Sequence, residues 1–297
     1  MTNIPLSERR NWIGASESAA LLGVSPFLTK FELWHIKAGN IPPEDLDADE
    51  RVQAGLHLEP AIAAWASKKW DWPLRNVREY LAHPTIPRMG CSLDFETAEG
   101  HPVEIKNVDN LIFRDGDWQA EGDTLLDAPA HYLVQVQHQL ACRPEAPHGW
   151  LLVCVGGNRL YRMEIPRHPK MIARIEREVA AFWQSIAAGE EPRPDFQADA
   201  AAISLLYNGA GDEVIDLRQD NRLPELCAEY LAAHEVEREA KGRKAAALAE
   251  IKTLIGNART ALIADGFRVK ASYVPGGSYE RQPHWRFSVT KQKETIS

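Results

Sequence analysis

Asp94, Glu104 and Lys106 are the residues of this sequence whose types and spacing can do chemistry. Asp94 closes the run Met89-Gly90-Cys91-Ser92-Leu93-Asp94, and Glu104 and Lys106 lie in Pro102-Val103-Glu104-Ile105-Lys106. Val103 and Ile105 alternate with Glu104 and Lys106, the period-two pattern of a strand with one apolar and one polar face. Ala98 to Pro102 has turn composition, which predicts an antiparallel hairpin with two carboxylates and an ammonium near its open end. Two carboxylates suit a hard divalent cation such as Mg²⁺, with water and a substrate phosphate completing its shell. A lysine beside them can hold an attacking water and stabilise charge on a pentavalent phosphorus. The same spacing also fits the solvated face of an exposed hairpin. Either way, a polar-face position predicts that Glu104→Ala or Lys106→Ala opens no core cavity.

The elements that must position these residues belong to a chain of 297 residues, 44% hydrophobic and 26% charged, enough to bury a full core. That length predicts one large domain or a domain with an appendage. There is no apolar run of about 18 residues, so no membrane span is expected. The first ten residues lack the apolar segment of a signal peptide. Cys91, Cys142, Cys154 and Cys227 are unclustered, which predicts reduced thiols in a cytoplasmic protein, without a disulfide frame or zinc spacing. A net charge of −8 argues against a protein that coats nucleic acid, but leaves room for an enzyme with a locally basic cleft.

Along the chain, Ser16 to Gly23 reads as a short helix with Ser16 as N-cap, and Thr29 caps a second helix that stops at Gly39. Arg51 to Trp70 is helical in pattern, with a kink or restart expected at Pro60. Arg75 to Leu81 reads as a strand, Asn110 to Asp127 as a polar loop, and His131 to Cys142 as a helix. Gly149–Val155 and Arg159–Ile165 are predicted strands joined by the Gly156-Gly157-Asn158 turn. Lys170 to Ala188 carries an apolar stripe through Ile172, Ile175, Val179, Phe182, Trp183 and Ile186. Glu190 to Asp199 is a Pro-containing linker that divides residues 1–192 from 193–297. Beyond it come a charged helix, Pro224 to Ala264, ended by Asp265-Gly266, and a hairpin of Phe267–Val274 with Trp285–Thr290. This order predicts an α/β core, a small mixed sheet flanked by helices, with a C-terminal long helix and β-hairpin.

Several stretches in order resemble the phage lambda exonuclease and YqaJ-like viral recombinase family of PD-(D/E)xK, restriction-endonuclease-like nucleases. They are Arg9 to Val24, Gly55 to Pro60, Gly90 to Asp94 with Glu104-Ile105-Lys106, and Tyr132-Leu133-Val134-Gln135-Val136-Gln137. Together they cover residues 7 to 190, with Ser-Leu-Asp standing where a proline often precedes the acid. The resemblance implies Asp94 and Glu104 as metal ligands, Glu59 as a supporting acid at the metal, Lys106 as the catalytic lysine and Gln135 as a helix glutamine reaching the site. Gln137, two residues on, is expected to be structural. Arg9, Ser16 and Ser92 match positions that bind a terminal 5′-phosphate. For Ser16 a plain capping role is compatible with that, and for Arg9 a surface charge is the other reading. His57, His131 and His138 read as surface or packing residues, and Trp118 as the exposed aromatic suited to touching DNA.

The resemblance thus implies a Mg²⁺-dependent exonuclease, with Mn²⁺ as a substitute, acting 5′→3′ on double-stranded DNA ends. Its 3′ overhangs would serve a single-strand annealing protein in phage-type recombination within a bacterial host cytosol. A ring-like homotrimer follows by family analogy, and no membrane is involved. An endonuclease with the same site chemistry, and a DNA-binding scaffold with a vestigial site, stay open as alternatives. The C-terminal part reads as a DNA- or partner-contacting arm, because Arg268, Lys270, Arg281, Arg286, Lys291 and Lys293 make it basic on an acidic chain.

Overall fold

The computed structural model describes residues 11–43, 49–77, 80–208, 214–262, 264 and 268–271. Arg9, Asp265-Gly266 and the expected strand Trp285–Thr290 lie outside them. The chain divides into two compact units, Met1–Leu206 and Tyr207–Ser297. The first opens with a 3-10 turn, Ala15–Glu17, then α1 (Ser18–Leu21), α2 (Lys30–Ala38) and α3 (Glu50–Trp70). Strands β1 (Leu74–Asn76), β2 (Tyr80–Ala82), β3 (Gly90–Ser92), β4 (Phe95–Thr97) and β5 (Pro102–Val108) follow. After them come α4 (Asn110–Asp115), β6 (Gln119–Glu121), β7 (Thr124–Asp127), α5 (Ala130–Cys142), β8 (His148–Val155), β9 (Arg159–Pro166), α6 (Pro169–Ala188) and α7 (Ala200–Leu206). The second unit holds α8 (Leu223–Ile255), β10 (Thr260–Leu262) and β11 (Arg268–Lys270).

Seven strands form one mixed sheet in the order β1-β4-β5-β8-β9-β7-β6, so the α/β core read from the sequence is present. Strand alternation sends side chains to two faces. Val103, Ile105, Leu152, Cys154 and Leu160 pack with Ile62, Ala63 and Ala66 of α3. Leu151, Val153 and Val155 pack on the other side with Val134, Val136 and Leu140 of α5 and the α6 stripe. Each buried valine, leucine or isoleucine among them contributes about 1.5–3 kcal/mol. Gly149 sets how close α5 comes to β8, because a Cβ there would lie 2.7 Å from Val136 Cγ1.

Several expectations need correction. Ser16 is not the N-cap. The 3-10 turn starts at Ala15, and Glu17 Oε2 accepts the Gly14 N–H at 2.8 Å, so the acid three residues on does the capping. Helix α3 runs through Pro60 unbroken. Proline deletes one helical N–H, and burial of Ile62, Ala63 and Ala66 offsets the lost bond. Residues 75–81 are not one strand, because β1 pairs with β4 and β2 pairs with β3 in a separate two-stranded sheet. Asn110 to Asp127 is no loop. Asp109 caps α4 by accepting the Leu111 N–H at 2.7 Å, and β6 and β7 form the sheet edge, exposed except at Leu125. With one buried residue in seven, such a hairpin carries no period-two signal.

The domain division falls after Leu206 and not at 192/193. Thr29 donates a hydrogen bond to buried Asp199, and Ala202 packs with Phe31 and Ile41, which ties this segment to the first unit. Helix α8 ends at Ile255, before Gly256 at φ 55°, nine residues earlier than expected. Residues that read as its last turns instead form β10, paired antiparallel with β11. None of the α8 residues is buried.

Candidate active site

The hairpin forms as its alternation requires. β4 and β5 are antiparallel with Phe95 opposite Val103 and Glu96 opposite Pro102. Asp94, just before β4, therefore lies beside Glu104 and Ile105, and its Oδ2 accepts the Ile105 N–H at 3.0 Å. Glu104 and Lys106 share a face, with Lys106 Nζ 2.5 Å from Glu104 Oε1. That face is not solvated, since Glu104 is 2% exposed beneath α5. Gln135 Nε2 donates to Glu104 Oε1 at 2.6 Å, and Gln139 Nε2 donates to Oε2. Tyr132, Gln135 and Gln139 recur at helical spacing, so one face of α5 meets the carboxylate. The Tyr132 ring centre is 5.6 Å from Lys106 Nζ, a cation–π contact.

The electrostatics are those of crowded acids. Burial, and then the Glu104 carboxylate, push Asp94 well above the ordinary aspartate range, against the pull of Lys106. Glu59 on α3 is raised by burial and by Glu104, again opposed by Lys106. Burial works against the Lys106 ammonium, yet Glu104 and Asp94 outweigh it and hold its pKa above the usual lysine value. Burial likewise raises the Tyr132 hydroxyl. Among the described residues no group of three or more His, Cys, Asp or Glu side chains stands in metal-ligating arrangement. The donor set still fits a hard divalent cation, which takes one or two carboxylates plus substrate oxygens and water. Asp94 and Glu104 would supply the carboxylates, and the like-charge crowding with Glu59 is what a cation would relieve.

Asp94→Asn is expected to stabilise the metal-free protein at neutral pH by about 0.5–2 kcal/mol, measured by urea unfolding in EDTA. The raised folded-state value makes protonation favour the fold. That contribution is full at acid pH and is lost as pH rises through the raised value. The variant's advantage should therefore shrink as pH falls toward the unfolded-state aspartate value of about 4. An Asn variant no more stable than its parent at neutral pH would contradict the crowding.

The remaining sequence candidates divide. Ser16 and Ser92 are exposed, and their neighbours Ala15, Cys91 and Leu93 share one buried cluster. Gln137 is structural, donating to the Pro166 carbonyl at 2.8 Å and accepting the His168 N–H at 2.9 Å. His138 is a fully enclosed packing residue bonded to Ser18 and to the Gly90 carbonyl, whereas His57 is exposed. His131 meets Phe27 edge-on and Tyr132 at a tilt. Trp118 is not an exposed aromatic. It is half-buried between Phe113 at 5.3 Å and Tyr132 at 5.5 Å, a cluster that props the site tyrosine. Gln139 is the residue that sequence reading missed, and the Gln-x-x-x-Gln spacing was its signal. The four cysteines are free, and no helix among the described residues is long and apolar enough to cross a membrane.

Residues 6–144 match the model of the YqaJ-like viral recombinase domain, which bears out the family resemblance over that part of the chain. Over 236 residues the chain is 28% identical to the uncharacterized protein YqaJ of Bacillus subtilis (strain 168), spanning 77% of this chain and 70% of that one. Among solved structures, an alkaline exonuclease from Laribacter hongkongensis aligns at 20% identity and a TM-score of 0.47, covering 66% of this chain and 96% of its own. A phage related exonuclease from Haemophilus somnus 129PT aligns at 11% identity and a TM-score of 0.44, covering 60% and 94%.

Proposed function

We propose, on the premise that residues 6–144 carry a YqaJ-like viral recombinase domain, that this protein is a Mg²⁺-dependent exonuclease of linear double-stranded DNA. Its polarity is 5′→3′, and its product is a 3′ single-stranded overhang for an annealing partner in phage-type recombination. The observation that carries this reading is the convergence of Glu104, Lys106 and Gln135 on a buried polar face, with Asp94 anchored on the same strand.

A hard divalent cation, when bound by Asp94 and Glu104 with Glu59 in support, supplies charge neutralisation and Lewis acidity toward a phosphodiester. The chain's own residues do the rest. Lys106, kept as ammonium by its two carboxylate neighbours, donates hydrogen bonds toward the attacking water and the phosphorus-bound oxygens. Tyr132 and Gln135 limit where that ammonium and the Glu104 carboxylate can swing. Ser16, Ser92 and Arg9 hold a terminal 5′-phosphate and so set end preference.

End-labelled linear DNA and covalently closed circles test the exonuclease reading together. Linear DNA is expected to be degraded and circles spared, and cleavage of circles would make this an endonuclease. Linear DNA with 5′-phosphate ends is expected to be digested faster than DNA with 5′-hydroxyl ends. Ser92→Ala or Arg9→Ala should erase much of that difference, since a hydrogen bond to a charged group contributes about 1.5–3 kcal/mol, roughly 10- to 100-fold. Equal rates on both ends in the parent protein would remove the phosphate pocket and leave the Asp94–Glu104–Lys106 site untouched.

A further inference from the structure

Gln139 lies one helical turn beyond Gln135 on α5 and is 0% exposed. Its Nε2 donates to Glu104 Oε2, while Oε1 is taken by Gln135 at 2.6 Å and by Lys106 at 2.5 Å. Glu104 is thus gripped through both oxygens, by two amides of one helix and one ammonium of its own strand. The grip has a cost for the fold, because Gln139 Oε1 is buried without a hydrogen-bond partner. Its helix neighbours Val136 and Leu140 are equally enclosed and apolar, and an apolar side chain at 139 would meet no such penalty. What glutamine offers there and an apolar residue does not is the hydrogen bond to Glu104. The terminal torsion of a glutamate is broad, and an unrestrained carboxylate must lose that freedom when it binds a ligand. A donor on each oxygen removes the freedom in advance.

We propose that Gln139 is a positioning residue, which fixes the orientation of the Glu104 carboxylate and thereby sets the divalent-cation affinity of the site without touching substrate. This rests on the reading of Glu104 as a metal ligand. Partners that orient a ligating carboxylate typically change metal affinity by roughly 10–100-fold. Among the described residues no equivalent grip holds Asp94, whose Oδ2 takes a backbone N–H instead. The affinity effect should therefore follow Gln139 and Gln135, and the two should act on the same carboxylate.

The test is Gln139→Met, close in volume and without the amide, in the full chain. Mn²⁺ binding is measured by calorimetry, and single-turnover cleavage of linear DNA is measured across Mg²⁺ concentration. Mn²⁺ affinity is expected to fall, and the Mg²⁺ needed for half-maximal rate to rise, by roughly 10–100-fold. The rate at saturating Mg²⁺ should stay close to the parent's. The thermal midpoint of the metal-free protein should fall, because Oε2 of the buried Glu104 loses its donor. Unchanged Mn²⁺ affinity and Mg²⁺ dependence in a metal-dependent parent would overturn the role of Gln139 alone. A parent that binds no Mn²⁺ and cleaves without metal would overturn the proposed function beneath it. If the Met variant does not fold, Gln139→Asn keeps an amide too short to reach Glu104 and should show the same weakening. Failure of both variants to fold would assign Gln139 to the core and overturn the inference.

Discussion

Lys106→Met is expected to lower the single-turnover cleavage rate by about 10²–10³-fold while duplex DNA still binds. The methionine keeps the stem that packs near Tyr132 and removes only the ammonium, so the loss reports charge and donor capacity. Two acids hold the ammonium protonated, and the parent's rate should therefore not fall through lysine deprotonation at the mildly alkaline pH where free lysine begins to titrate. Quench-flow on end-labelled duplex measures the rate, and gel shift in Ca²⁺ measures binding. A Met variant that cleaves at the parent's rate would remove Lys106 from the chemistry. The companion substitution must be Glu104→Gln. The polar face of β5 predicts that Glu104→Ala spares the fold, but the carboxylate is buried among three donors. Truncating it would take the close partner from Lys106 and leave two amides unpaired, at a cost of about 3–5 kcal/mol.

Arg143→Ala is expected to destabilise the protein by about 3–5 kcal/mol, the usual cost of stranding one partner of a buried ion pair. Arg143 follows α5, and its Nη2 lies 2.6 Å from Oε2 of Glu96, which is 2% exposed in β4. Arg75 also reaches Glu96, but its side chain is 74% exposed and a solvated partner compensates little. The pair joins the strand that begins just after Asp94 to the helix that carries Gln135 and Gln139. Its loss should therefore depress cleavage as well as the urea midpoint. Arg143→Ala with Glu96→Gln should recover part of the stability, because no buried charge is left alone. A single variant within about 1 kcal/mol of the parent would show that Arg75 or water suffices for Glu96.

Alternation of Val103, Glu104, Ile105 and Lys106 gave away β5, its two faces and the pairing of Glu104 with Lys106. The turn composition before Pro102 gave its antiparallel partner. The α6 stripe and the Gly156-Gly157-Asn158 turn were equally legible, because burial and positive φ leave strong local marks. The course of residues 75–81 was not, since a chain that leaves one sheet for another keeps the same strand-like composition. Nor was the depth of the site. A polar strand face reads the same whether it meets water or the amides of α5, and the packing of α5 on the sheet is what puts Gln139 against Glu104. Trp118 misled because its partners, Phe113 five residues earlier in α4 and Tyr132 in α5, meet it only once the segment folds.

Metal-dependent cleavage at the Asp94–Glu104–Lys106 site is tested most directly with end-labelled linear duplex DNA, incubated in Mg²⁺ with and without excess EDTA. Labelled nucleotides should be released in Mg²⁺, cease to be released in EDTA and reappear when Mg²⁺ is restored, with Glu104→Gln inactive throughout. Undiminished release in excess EDTA, or full activity of the Glu104→Gln protein, would contradict it.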